Sequence, residues 1–295
     1  MFKIKFYEKY YLNKQLNRLN KDKIKEWYEL SEIFKGKKDI DSIILGSSHG
    51  VYGLISSVIF DNEKSINLCT DSQDLYRSYK ILKLCMTNYN IKNVIITYSL
   101  FSNSFMLDLV KSERDKCYLN EIFFNIESRY EESRYDKKHK KLIELYIKYY
   151  LNNKYFDREY RDNSGDKIGQ RIFFSDDVST ETRVYGHIKH NKRNNNENMW
   201  LEKVADICIQ KAININIVIM PVRYDYRQET FKYGTYSELF NNVLQICRTK
   251  NVNLISYFEE QMEDKCFGDF DHLTYDGAFL ISNKLKKDIR DGKND

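Results

Sequence analysis

Gly46-Ser47-Ser48-His49-Gly50 sets a serine in a glycine-flanked turn directly after a short apolar run. A serine acts as a nucleophile when it is accessible and when donors stand ready for the developing oxyanion. Backbone N–H groups at a helix start supply such donors. A serine at such a junction is also an ordinary N-cap, so Ser48 alone decides nothing. The block is not read as the G-x-S-x-G elbow of α/β-hydrolases. A second block, Phe267-Gly268-Asp269-Phe270-Asp271-His272, lies near the other end of the chain. Asp269 and His272 are three apart, which in a loop lets the carboxylate take Nδ1–H of the imidazole and leaves Nε2 as a base. The bland reading is a surface loop with a solvated histidine.

What would bring the two blocks together is a parallel sheet. Short β-branched runs at 40–46, 65–68, 93–100, 215–221 and 253–258 alternate with helical patterns from about Tyr52 and at 72–88, 199–212, 235–249 and 275–289. That alternation predicts βαβ units and a flavodoxin-like, doubly wound, five-stranded parallel sheet. Ligands of such sheets bind beyond the carboxyl ends of the strands, where loops 46–51 and 259–274 both open. Residues 1–39 read as N-terminal amphipathic helices and 40–295 as one α/β domain. It is interrupted by a largely helical insertion at 101–196 whose clearest helix spans 137–153. The insertion is expected to cover the carboxyl edge of the sheet.

Composition narrows the class. With 42% hydrophobic and 15% aromatic residues and a single proline, the chain has ample material for a core. No apolar run is long enough to span a membrane, and the first residues lack the apolar region and cleavage site of a secretory signal. A cytoplasmic protein is therefore expected. Lysine and arginine number 48 against 43 acidic residues, and the excess of five sits in residues 1–40. These charges are interleaved, as on a solvated helix face, so membrane-surface contact is not the favoured reading. No nucleic-acid fold signature is present. The six cysteines form no C-x-x-C pair and read as reduced thiols.

Together the two blocks resemble the SGNH/GDSL hydrolase superfamily: a G-x-S block after the first strand and a D-x-x-H block before the last helix. Asp269-Phe270-Asp271-His272-Leu273-Thr274, with Gly277 and Ala278 beyond, is similar to the D-x-D-H-L-N-x-x-G-A run of many bacterial members. The resemblance implies Ser48 as nucleophile, His272 as general base and Asp269 as its orienting carboxylate. Asp271, adjoining His272, is expected to diverge from the ring.

Two family blocks depart from pattern. Where a glycine N–H normally serves the oxyanion, the chain reads Asn67-Leu68-Cys69-Thr70-Asp71-Ser72, leaving the backbone of Cys69 or Ser72. Where the family carries an asparagine donor, strand three ends in Ser99-Leu100-Phe101-Ser102-Asn103, leaving Ser99 or Asn103. The chain is similar in these respects to acyl-transfer proteins of bacterial surface-polysaccharide modification. In that light Arg223 and Tyr224, beyond Pro221, are expected at the cleft edge, and His49 beside the substrate.

Arg183, His187, His190 and Lys192 could bring cations over the cleft, but no Asp, Glu or Cys completes a ligand set with the histidines, so neither metal nor cofactor is expected. Tyr7, Tyr10, Tyr11 and Trp27 read as core or interface positions. The leading expectation is an esterase or O-acyltransferase acting on a small-molecule or glycan ester, possibly with a separate acyl donor. The alternative is a catalytically degraded module of the same fold that binds a glycan or acyl-carrier ligand in polysaccharide assembly.

Overall fold

A computed structural model of the protein describes residues 2–61, 63–129, 137–151, 159–167, 178–191 and 196–292; the side chains of 2–7 and 191 are left aside. Lys192 lies outside these residues, as does the side chain of Tyr7. Five strands, β1 (Ser42–Leu45), β2 (Ser65–Asn67), β3 (Asn93–Tyr98), β4 (Asn214–Ile219) and β5 (Asn253–Ser256), pair in the order β2-β1-β3-β4-β5. Every pairing is parallel, with Ile44 opposite Ile95 and Ile217 opposite Leu254. This is the flavodoxin-like, doubly wound order expected from the alternation of strands and helices.

The strands are short and almost wholly buried because helices cover both faces, and β-branched residues suit that setting. Alternate side chains serve alternate faces. Ile43, Leu45, Val94, Ile96 and Ile217 pack with α2 (Lys21–Gly36), α5 (Leu75–Asn88), α9 (Asn198–Gln210) and α12 (Asn241–Lys250). Ile44, Ile95, Val218 and Ile255 pack with α3 (Ser48–Gly53), α4 (Ser56–Phe60) and α13 (Tyr275–Arg290). An N-terminal helix, α1 (Phe2–Gln15), precedes α2, whose Trp27 is buried against Phe124. Tyr10 and Tyr11, expected in a core or interface, are exposed. Among the described residues no helix is long and apolar enough to cross a membrane, and all six cysteines are buried and unpaired.

Three helical boundaries differ from expectation. The first βα turn is so tight that α3 begins at Ser48, well before Tyr52. The helix expected over 235–249 is two, α11 (Tyr236–Leu239) and α12, broken at Phe240. The insertion holds α6 (Arg114–Phe124) and α8 (Thr180–Asn191) besides α7 (Lys137–Tyr146), which ends in a π-helical turn at Ile147–Leu151. Its residues 160–166 fold back beside β2: Ser164 O accepts from Asn67 N (2.8 Å), and the Asp166 carboxylate accepts from the N–H groups of Ser56 and Ser57 at the start of α4.

Candidate active site

β1 is followed by Gly46, whose φ of +144° brings the chain hard against β3. A Cβ there would stand 1.9 Å from Thr97 Oγ1, so only glycine allows this approach. The chain then turns at once into α3, with Ser48 its first helical residue and its N–H among those a helix start leaves without intrahelical partners. Gly46 to Gly50 does satisfy the G-x-S-x-G spacing, which corrects the reading made from sequence. Ser48, however, is the first residue of an ordinary helix and has no positive φ, unlike the strained turn of an elbow. The helix is tied down by Asn67, whose side-chain amide donates to Gly50 O (3.1 Å) and Leu54 O (2.9 Å).

His272 arrives from the loop between β5 and α13. Thr274 caps α13 by accepting from Gly277 N, and Gly277 lies so close to Cys266 O that a Cβ would sit 2.3 Å away. Asp269 organises this loop. Its Oδ1 accepts from the backbone N–H of Asp271 (2.9 Å) and of His272 (2.8 Å), and its Oδ2 accepts from His272 Nδ1 (2.7 Å). With Nδ1 protonated toward the carboxylate, Nε2 is left to accept from Ser48 Oγ, 2.8 Å away. Ser48, His272 and Asp269, 224 residues apart at the extremes, are thus in one hydrogen-bonded line.

The charges favour a basic imidazole. Burial opposes the His272 cation, but the negative charge of Asp271 and the bond to Asp269 outweigh it and hold the His272 pKa above its ordinary value. Burial likewise opposes ionisation of Asp269, yet its bond to His272 keeps it below the usual carboxylate range. Asp271 diverges from the ring as expected: Arg183 Nε and Nη2 grip its two oxygens (2.8 and 3.0 Å), and His49 Nε2 donates to Oδ2 (3.1 Å).

These residues open on a cavity of about 1030 Å³, the upper size for a small-ligand pocket. Its lining varies in character. Phe101 and Phe105, beyond β3, pack together with Val110, and Leu109 adds to the apolar lining. Glu113 and Lys116 gather round Ser72, beyond β2, beside Asp71. α8 adds Arg183, His187 and His190, so part of the insertion covers the carboxyl edge.

Several expected site residues are employed elsewhere. The N–H of Cys69 donates to Asn67 Oδ1 (3.0 Å), which removes it as an oxyanion donor. Ser99 Oγ is buried and bonded to His49 Nδ1 (2.8 Å). Asn103 accepts from Asn198 Nδ2 (2.7 Å) and holds the start of α9. His49 is buried behind Ser48 and lies outside the cavity lining. Arg223 is paired with Asp225 and lies over Phe270, while Tyr224, the first residue of α10 (Tyr224–Thr230), lines a separate hollow with Arg227 and Met262. Ser72 alone of the second-block candidates lines the cavity, and it adopts φ +60°, the left-handed conformation that favours glycine.

His49, Asp271 and His272 also bring three potential metal-ligand atoms within 4.8 Å of one another. Their donors are already committed: Asp271 to Arg183 and His49, His272 to Ser48 and Asp269. A guanidinium on the shared carboxylate opposes a second cation there, so the set reads as a proton network.

No family model matches the chain, and no curated protein matches it. Among solved structures it is similar to a "putative acylhydrolase" from Bacteroides fragilis NCTC 9343. The identity is 10%, over 87% of this chain and 89% of that one, with a TM-score of 0.39. It is also similar to a "putative platelet activating factor" from Streptococcus pneumonia, at 11% identity over 95% of this chain and 96% of that one, with a TM-score of 0.43.

Proposed function

We propose that the protein is a serine-dependent acyl-ester hydrolase or O-acyltransferase of the SGNH type, acting on an acylated carbohydrate or glycan precursor. The observation that carries this reading is the line Ser48–His272–Asp269, with contacts of 2.8 and 2.7 Å, opening on the large cavity. His272 Nε2 takes the Ser48 proton as Oγ attacks the ester carbonyl, while Asp269 fixes the tautomer and stabilises the imidazolium. The oxyanion lies on the N–H groups of Ser48 and Ser72. Collapse of the tetrahedral adduct expels the alcohol, which takes its proton from His272 and leaves an acyl-serine. Water resolves this intermediate in a hydrolase, and a sugar hydroxyl resolves it in a transferase. The apolar wall of Phe101, Phe105, Leu109 and Val110 suits the acyl chain. The wall of Asp71, Glu113 and Lys116 suits a hydroxyl-rich partner.

The test is turnover of a panel of nitrophenyl esters and acylated sugars by wild type, Ser48→Ala and His272→Ala. Each variant should lose several orders of magnitude in rate while remaining folded. Turnover at the wild-type rate in either variant would end this mechanism. Analysing products with and without added sugar acceptor separates hydrolysis from transfer.

The commitment of Cys69, Ser99 and Asn103 to other bonds favours a second reading, a catalytically degraded module that binds a glycan or acyl-carrier ligand. On that reading Ser48→Ala binds such a ligand as wild type does, and no covalent adduct forms.

A further inference from the structure

Behind the Ser48–His272–Asp269 line runs a second one that draws on four separate parts of the chain. Ser99, after β3, meets His49 Nδ1 at 2.8 Å; His49, on α3, donates from Nε2 to Asp271 at 3.1 Å; and Arg183, on α8, closes on Asp271 with two bonds. Ser47 Oγ joins at 3.3 Å from both Ser99 Oγ and His49 Nδ1. The Asp271 side chain is 1% exposed. Burying a carboxylate so deeply is costly unless it is paired and hydrogen-bonded, and both of its oxygens are. The two lines touch twice. The backbone N–H of Asp271 is bound by Asp269, the carboxylate that orients His272, and the rings of His49 and His272 stand 5.2 Å apart at 32°.

We infer that Asp271, fixed between His49 and Arg183, is a positioning residue that sets both the placement and the charge environment of His272. The Gly46–Gly50 and Asp269–His272 blocks then interlock through a buried carboxylate as well as through the Ser48–His272 bond. This inference rests on the catalytic reading above and extends it to a residue that touches no substrate.

The charged and titratable groups facing His272 are Asp269 and Asp271 on its own loop, His49 and Tyr52 on α3, and Arg183 and His187 on α8. Burial holds His49 and His187 neutral, and desolvation keeps the Tyr52 phenol protonated. Asp271 favours the imidazolium, and Arg183 opposes it. The two therefore act on His272 with opposite signs.

The experiment follows fluorophosphonate labelling rate against pH, together with the NMR titration of the His272 ring, in wild type, Asp271→Asn, Arg183→Met and Arg183→Lys. Asp271→Asn should move the His272 midpoint and the acid limb down by about one pH unit, the scale of an opposite charge at 4–6 Å. Arg183→Met should move both upward, and Arg183→Lys should restore them toward wild type. Midpoints that coincide in wild type, Asp271→Asn and Arg183→Met would overturn the inference and leave Asp271 as a fastening for α8. If Asp271→Asn does not fold, an unmoved midpoint in Arg183→Met overturns it alone. Failure of wild type to label at any pH would count against the catalytic reading, while the NMR titration would still test this one by the same opposed shifts.

Discussion

Gly50 sits two residues beyond Ser48, in the first turn of α3, where the helix passes over the ends of β2 and β3. An alanine Cβ there would stand 2.4 Å from Cys69 Sγ and 3.1 Å from two side-chain atoms of Thr97. Carbon contacts are comfortable at about 3.5–4.0 Å, so either α3 lifts by roughly 1 Å or Cys69 leaves its rotamer. Cys69 is fully buried in the same cluster as Ile44 and Ile95 and has little room to turn. Overpacking of this kind costs about 1–3 kcal/mol, against a gain of up to ~1 kcal/mol from alanine's helix propensity. The net loss of roughly 1–2 kcal/mol should lower Tm by a few degrees, at about 2–4 °C per kcal/mol for chains approaching this size. The chemical effect should be larger, because a misplacement of about 1 Å costs on the order of 10²-fold in rate. Thermal melting and fluorophosphonate labelling of Gly50→Ala, Cys69→Ala and the double variant measure both. Cys69→Ala removes the sulfur in the way, so it should restore most of the labelling lost in Gly50→Ala, a coupling that independent sites would lack. Labelling of Gly50→Ala at the wild-type rate, or strict additivity in the cycle, would refute the idea that close contact seats the nucleophile helix.

Other outcomes follow from the same geometry. Asp269→Ala should slow labelling by roughly 10²–10⁴-fold, the usual contribution of a positioned base, and a loss under threefold would count against the triad. Burial holds His187 neutral with its pKa pushed down to about 3, so the unfolded chain binds the extra proton once pH falls below 6.5. Stability should therefore drop as pH falls from 6.5, and chemical denaturation of His187→Gln should show a flatter profile. His272 has the opposite sign. Its raised pKa contributes stability below pH 6.5 that is lost as pH rises through the folded value, and the acid limb of labelling should lie above 6.5. Asp166→Ala strips α4 of the carboxylate that accepts from Ser56 and Ser57, and should cost about 1–3 kcal/mol in urea unfolding without changing the labelling rate.

The framework was legible because buried parallel strands leave a plain trace. Apolar runs such as Ser42–Leu45 and Asn93–Tyr98 end where polar loops begin, and the helices between them keep a 3.6-residue period. The three-residue spacing of Asp269 and His272 was legible for a local reason, since one loop holds both partners. The oxyanion candidates were not, because main-chain donors are assigned by turns that residue names do not encode. The hook of Asn67 onto Cys69 N and the left-handed Ser72 depend on how β2 meets α3. Arg223 and Tyr224 looked outward to the cleft, but the i, i+2 pair with Asp225 turns Arg223 onto Phe270. Arg183 was visible as a cation, whereas its partner Asp271, 88 residues on, belongs to a contact no local pattern reveals.

Activation of Ser48 by His272 is read by intact-mass spectrometry after incubation with a fluorophosphonate, on wild type and Ser48→Ala. One adduct is expected on wild type, mapped to Ser48 and absent from the variant. A folded wild type that takes no adduct, or an adduct that persists in Ser48→Ala, would contradict it.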